Sequence, residues 1–288
     1  MSDTTPTGQD PAEPEQPNAE DVPPRRSRRR YFIQAAIAVV VIVAIVVVAS
    51  VLIAGQNNTV AKAVSSGLLG PKNMASGGAL IEGSSGKLVT VPTPAEKIGH
   101  VVPTKPLAGK ANIVEYVDLQ CPYCLEFEET NLNNVASWVQ SGQATLEIHP
   151  IAFLDASSQG TRYSSRADNA VACVANDDPN EFIDAIAVLY EHQPKEGSDG
   201  RTNAQILGYL KKAGASSAAI TKCVDSDQFD LWVTATTAEV ESGTFKGVAT
   251  TPSAFQGTPT VYVNGQPYTG SLTDASTFTA FVNAEAGS

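Results

Sequence analysis

The distribution of apolar and polar positions divides the chain into four stretches. Residues 1–30 carry no apolar periodicity. Residues 35–54 are apolar throughout, with Ser50 as the one polar side chain. From 55 to 110, Gly, Ser, Pro and Lys interrupt every short apolar run. From 111 onward, alternation and helical spacing take turns to the end of the chain.

In that last stretch, residues 112–118 are short, β-branched and aromatic, with one acid, Glu115, inside the run and Asp118 at its end, and read as a strand. Pro122 then suits the first position of a helix. Leu125, Leu132, Val135, Trp138 and Val139 recur at helical spacing until Gly142. A second strand is expected over 144–151, followed by helices over 163–175, 181–190, 203–212, 216–224 and about 229–243, with Gly and Pro between them. Residues 260–263, the turn Asn264-Gly265 and residues 266–268 give a hairpin signal, and a last helix is expected over about 274–284. Upstream, 79–82 and 87–90 flank Gly83-Ser84-Ser85-Gly86 as a small hairpin able to extend a sheet edge. No internal repeat is present. The order describes an α/β sheet with a helical subdomain inserted between its halves.

The apolar run changes the picture of where this domain works. Twenty residues at about 1.5 Å each cover the roughly 30 Å hydrocarbon layer of a bilayer, with Tyr31 and Phe32 at interfacial height. Arg25, Arg26, Arg28, Arg29 and Arg30 precede the run and place the N-terminus in the cytoplasm and everything after Gly55 outside. A twin-arginine export signal competes for the same residues, but its apolar core is normally shorter and followed by a small-residue cleavage site. No cysteine near the run suggests a lipid anchor. The six prolines and six acids of residues 1–24 predict disorder. The expected organisation is thus a disordered cytoplasmic tail at 1–30, a transmembrane helix at 31–54, an extracytoplasmic linker at 55–76, and a domain at 77–288 with its helical insertion at about 152–250. A net charge of −11 leaves no basic face for nucleic acid.

The chemistry is concentrated in Cys121-Pro122-Tyr123-Cys124, at the junction of strand and helix. Cys121 falls at the N-cap, where free backbone amides, including that of Cys124, and the positive end of the helix dipole favour a thiolate. It is the expected nucleophile. Cys124, one turn in, is placed to resolve a mixed disulfide on Cys121. Half of a zinc site is the competing reading, but Cys173 and Cys223 stand singly rather than as a second pair. A purely structural Cys121–Cys124 disulfide is the other.

Cys121-Pro122-Tyr123-Cys124 after a strand, together with Gly257-Thr258-Pro259-Thr260 opening a later strand, resembles the thioredoxin fold of the DsbA-like disulfide oxidoreductases. Residues 115–118 and Gln193-Pro194 are similar to membrane-anchored actinobacterial members. The resemblance covers about 111–288. It implies an α/β thioredoxin fold with an inserted helical subdomain, here preceded by a single transmembrane helix. It also implies a cis Pro259 beside the two sulfurs, with Thr258 offering backbone groups to a substrate strand and no room for a metal between the thiols. Thr251-Pro252 is the same dipeptide without a strand close behind it.

Glu115, if it faces inward beneath Cys124, would have a raised pKa and could move the proton that Cys124 gains or loses; outward, it would be an ordinary strand residue. Tyr123 is a tuner and substrate contact, and Asp118 a cap for the loop. Cys173 and Cys223, both in predicted helices outside the cytoplasm, are expected to form a structural disulfide, a second redox pair being the alternative. His100, His149 and His192 lack ligand spacing and read as surface or loop residues. The expected activity is an extracytoplasmic thiol-disulfide oxidoreductase, needing no cofactor, that introduces disulfides into exported proteins with free thiols. The resemblance implies reoxidation by a membrane quinone-linked partner of the DsbB or vitamin K epoxide reductase type. A reductase or isomerase of the same fold, or a binding module with only structural disulfides, are the alternatives.

Overall fold

A computed structural model describes residue 55, residues 58–243 and residues 255–286. The expected tail, transmembrane helix and Thr251-Pro252 lie outside the described residues. Among the described residues no helix is long and apolar enough to cross a membrane.

A six-stranded sheet forms the centre, in the order β2-β1-β4-β3-β5-β6. The strands are β1 (Ala79–Ser84), β2 (Lys87–Thr90), β3 (Ala111–Val117), β4 (Ala144–Pro150), β5 (Thr260–Val263) and β6 (Gln266–Pro267). β3 and β4 run parallel, because α1 (Pro122–Gln140) returns the chain to the same end of the sheet. The other pairings are antiparallel. The hairpin expected near 79–90 forms and adds to the β4 edge. Gly83 is required there: a Cβ would meet the Val139 carbonyl oxygen at 2.0 Å, so only glycine lets β1 pass the end of α1.

The strand period of two sorts β3 onto two faces. Ile113, Glu115 and Val117 are buried on one. There, Ile113 and Val117 join the main core with Phe127, Val135 and Val139 of α1, and with Phe278 and Val282 of α7 (Ala275–Ala286). Val114 and Tyr116 face the other side, in a smaller cluster with Ile151, Val240 and Tyr262.

Between β4 and β5 the chain makes α2 (Tyr163–Asp177), α3 (Phe182–Glu191), α4 (Asn203–Lys212), α5 (Ala218–Asp225) and α6 (Asp230–Glu241). α2 is buried nearly all round, with Ala167, Ala170 and Ala172 allowing neighbouring helices close approach, and it is the axis of the insertion. Cys173 of α2 and Cys223 of α5 form a disulfide with Cα atoms 5.9 Å apart and a sequence separation of 50. In the chain-entropy picture a loop of that length stabilises by about 4 kcal/mol.

Two expectations change. The segment expected as a linker over 55–76 packs onto the domain. Residues 58–65 are helical, Ala63 and Met74 are buried, and the Asn73 amide donates to the Ala175 carbonyl at 2.7 Å. Short apolar residues without periodicity gave no hint of this docking. His149 is also not a surface or loop residue: it lies in β4, fully buried, with Nε2 3.1 Å from Glu147 and its ring stacked on Tyr116. The groups packed against its ring, Tyr116 and Gly78, come from distant sequence. His100 is exposed and pairs with Glu96, whereas His192 is partly buried at the end of α3.

Candidate active site

β3 ends at Val117, and residues 118–121 turn directly into α1, with the Cys121 N–H donating to the Asp118 carbonyl at 3.0 Å. Cys121 is the N-cap in extended conformation and Pro122 opens the helix. The Cys121 carbonyl accepts from Cys124 and Leu125 N–H at 3.1 and 3.2 Å, and from the Gln193 side chain at 3.0 Å. Gln193 also reaches the Leu119 carbonyl at 3.3 Å. The end of α3 therefore holds the active-site turn from the insertion side.

Cys121 and Cys124 are both free thiols. Their environments separate them. The Cys121 pKa falls from 9.0 to about 6, chiefly through a hydrogen bond from the Cys124 thiol. Partial burial opposes this, while the Thr258 hydroxyl and the N–H groups of Cys124 and Tyr123 support it. Cys124 is completely buried, and its pKa is pushed well above 9.0 by desolvation first and then by its hydrogen bond and charge relation to Cys121. One sulfur is an anion near neutral pH and the other a thiol, as an attacking and a resolving group require.

Thr258-Pro259 is a cis peptide bond. It sets the Thr258 carbonyl 3.2 Å from the Cys121 sulfur, where it accepts a hydrogen bond from the thiol form. Among the described residues the Thr258 hydroxyl makes no full hydrogen bond, yet it faces both sulfurs and favours their thiolates. Tyr123 is 58% exposed, at the rim of the site. Beside the cis bond, Phe153 and Phe255 meet edge to face at 5.2 Å.

Glu115 faces inward and is 2% exposed. Its direct partner is Glu128 rather than Cys124. Burial raises Glu115 well above the carboxylate range, with the charge of Glu128 adding to it, and burial raises Glu128 to about 7. A hydrogen bond between two carboxyls needs a proton on one of them, so the pair holds at least one proton at neutral pH. Glu128 was not anticipated, although it sits four residues after Cys124 on the same helical face. Nor was Tyr190, whose buried hydroxyl lies 3.5 Å from the Asp118 carbonyl and whose pKa is raised by burial and by Cys124 and Glu128. Gln193 carried a signal only as part of Gln193-Pro194. The structure gathers Cys121, Cys124, Thr258, Pro259 and Tyr123 at one end of the sheet, with Glu115 below them, and leaves the Cys173–Cys223 disulfide in the insertion.

Known proteins agree with this geometry. A family profile described as Thioredoxin matches residues 106–284, more than half of the chain. Reduced DsbA from Mycobacterium tuberculosis is 26% identical with a TM-score of 0.54, over 73% of this chain and 93% of that one. The reduced disulfide bond oxidoreductase DsbG from the same organism is 26% identical with a TM-score of 0.53, over 73% and 88%. Among curated proteins, the serine/threonine-protein kinase PknE of Mycobacterium tuberculosis is 30% identical over 150 residues, which is 51% of this chain and 26% of the kinase. The chain thus spans about a quarter of that relative's length. With a thiolate-stabilised Cys121, a buried Cys124 and a cis Thr258-Pro259 on this sheet, the chain belongs to the thioredoxin family and is a DsbA-like thiol-disulfide oxidoreductase.

Proposed function

We propose that the chain works outside the cytoplasm, tethered by residues 31–54, as an oxidase that transfers the Cys121–Cys124 disulfide to exported proteins. The observation that carries this reading is the unequal pair of sulfurs. A low Cys121 pKa stabilises the reduced enzyme, and a stabilised reduced form makes the disulfide an acceptor of electrons. The Cys173–Cys223 disulfide supports an oxidising compartment, and the arginines before residue 35 support the orientation.

In the reaction, a substrate thiolate attacks the Cys121 sulfur and expels Cys124. Cys124 takes a proton, because its buried site disfavours the anion. The Glu115–Glu128 pair, one turn further along α1, is the nearby proton reserve in this reading. A second substrate thiolate then attacks its own sulfur in the mixed disulfide and expels Cys121, a good leaving group as a thiolate. Thr258 and Pro259 offer the edge along which the substrate strand lies, with Tyr123 at its rim. A membrane quinone-linked protein of the DsbB or vitamin K epoxide reductase type restores the disulfide.

The test is the reduction potential of Cys121–Cys124 in the purified domain, with oxidative refolding of a reduced, unfolded protein alongside it. A value nearer the roughly −120 mV of a strong oxidant, with net disulfide formation, supports the oxidase. A value near the roughly −270 mV of thioredoxin, with net reduction, assigns a reductase.

A further inference from the structure

Asp118 is fully buried at the end of β3, three residues before the nucleophile. Its carboxylate accepts three hydrogen bonds from three parts of the chain: the Gln120 N–H of the active-site turn at 2.7 Å, the Leu154 N–H after β4 at 2.7 Å, and the Ser164 hydroxyl of α2 at 2.8 Å. All three are donors, so the site is built for the ionised form, yet among the described residues no ion pair involves Asp118. The ionisable groups that face it are Cys121 from the start of α1, Tyr163 and Asp168 from α2, and Tyr190 from α3; its own N–H is directed at Cys124. Asp155 adds to the charge around Asp168, and Arg166 and Arg201 act on Tyr163 behind it. The one group here that gains charge during the reaction is Cys121.

We propose that Asp118 is a charge-coupled positioning residue: it takes up a proton when the Cys121–Cys124 disulfide is reduced, because its carboxylate and the new Cys121 thiolate occupy one buried site. The balance is complete. Two substrate thiols become a disulfide and release two electrons and two protons. The electrons open the enzyme disulfide, one proton goes to the Cys124 sulfur, and the other goes to the Asp118 carboxylate while Cys121 remains a thiolate. Burial first, opposed by the three hydrogen bonds and joined by the smaller effect of the Cys121 charge, raises Asp118 to about 7, so this exchange falls in the neutral range. Coupling is reciprocal: above that range the Asp118 charge disfavours the thiolate and hence the reduced enzyme.

The experiment is the equilibrium of the native domain, Asp118→Asn and Ser164→Ala with a glutathione redox buffer between pH 5.5 and 8.5. The constant is written toward reduced enzyme and expressed as the ratio of variant to native. For Asp118→Asn the ratio at pH 5.5, where Asp118 is neutral in the native protein, is the baseline. It should rise toward pH 8.5 by about tenfold for each pKa unit of coupling. Ser164→Ala keeps the charge and removes one donor, so proton release moves to higher pH by about one unit. Its ratio should exceed one near neutrality and return toward one at both ends. A structural role alone would offset either variant equally at every pH. A flat or falling Asp118→Asn ratio overturns the proposal. If that variant does not fold, a Ser164→Ala ratio without a maximum overturns it.

Discussion

The Cys121 thiolate depends most on the Cys124 thiol, which gives a test that separates this hydrogen bond from the helix terminus. Cys124→Ala removes the donor, whereas Cys124→Ser replaces it with a hydroxyl. A hydrogen bond to a charged group is worth about 1.5–3 kcal/mol, or roughly one to two pKa units at about 1.36 kcal/mol each. Cys121 should therefore titrate near 6 in Cys124→Ser and at about 7 to 8 in Cys124→Ala. Cys173 and Cys223 are locked together, so the rate of iodoacetamide alkylation against pH reads Cys121 alone in both variants. At pH 6 the thiolate fraction, and with it the rate, should be about 5- to 50-fold lower in Cys124→Ala, and the two variants should converge near pH 9. Equal midpoints in the two would refute the reasoning, because the helix amides and Thr258 would then suffice without Cys124.

Removing both cysteines of the insertion, Cys173→Ala with Cys223→Ala, should lower the stability to urea by about 3–4 kcal/mol. In the native domain, mild reductant should open Cys121–Cys124 while Cys173–Cys223 survives, as differential alkylation and mass spectrometry would detect; simultaneous loss of both contradicts a structural disulfide. Glu128, raised to about 7, binds a proton in the folded state that the unfolded chain has released above its ordinary value of 4.5. Stability should thus fall as pH rises through 4.5 toward 7, and Glu128→Gln should remove part of that fall. A gain on the order of 2 kcal/mol at pH 8 with little change at pH 4.5 is expected from urea midpoints at the two pH values.

The local chemistry of this protein was legible in the chain itself. Cys121, Pro122 and Cys124 specify a thiol at a helix N-cap, because proline at the first helical position and an alternating run before it leave few other local structures. The turn Asn264-Gly265 and the period of β3 likewise act over a few residues, and Glu115 was marked as unusual by lying in an apolar run. What tertiary structure decided involves partners distant in sequence. Glu128 is an ordinary helical acid until β3 brings Glu115 against it. Asp118 reads as a loop cap until Leu154 and Ser164 arrive from the insertion. His149 looked like a surface residue, and the residues near 63 and 74 like a linker, because the groups that bury them, such as Tyr116 and Gly78 against the His149 ring, lie tens of residues away. Burial and long-range pairing set the charge states in this site, and both depend on which surfaces meet, a property that no local pattern carries.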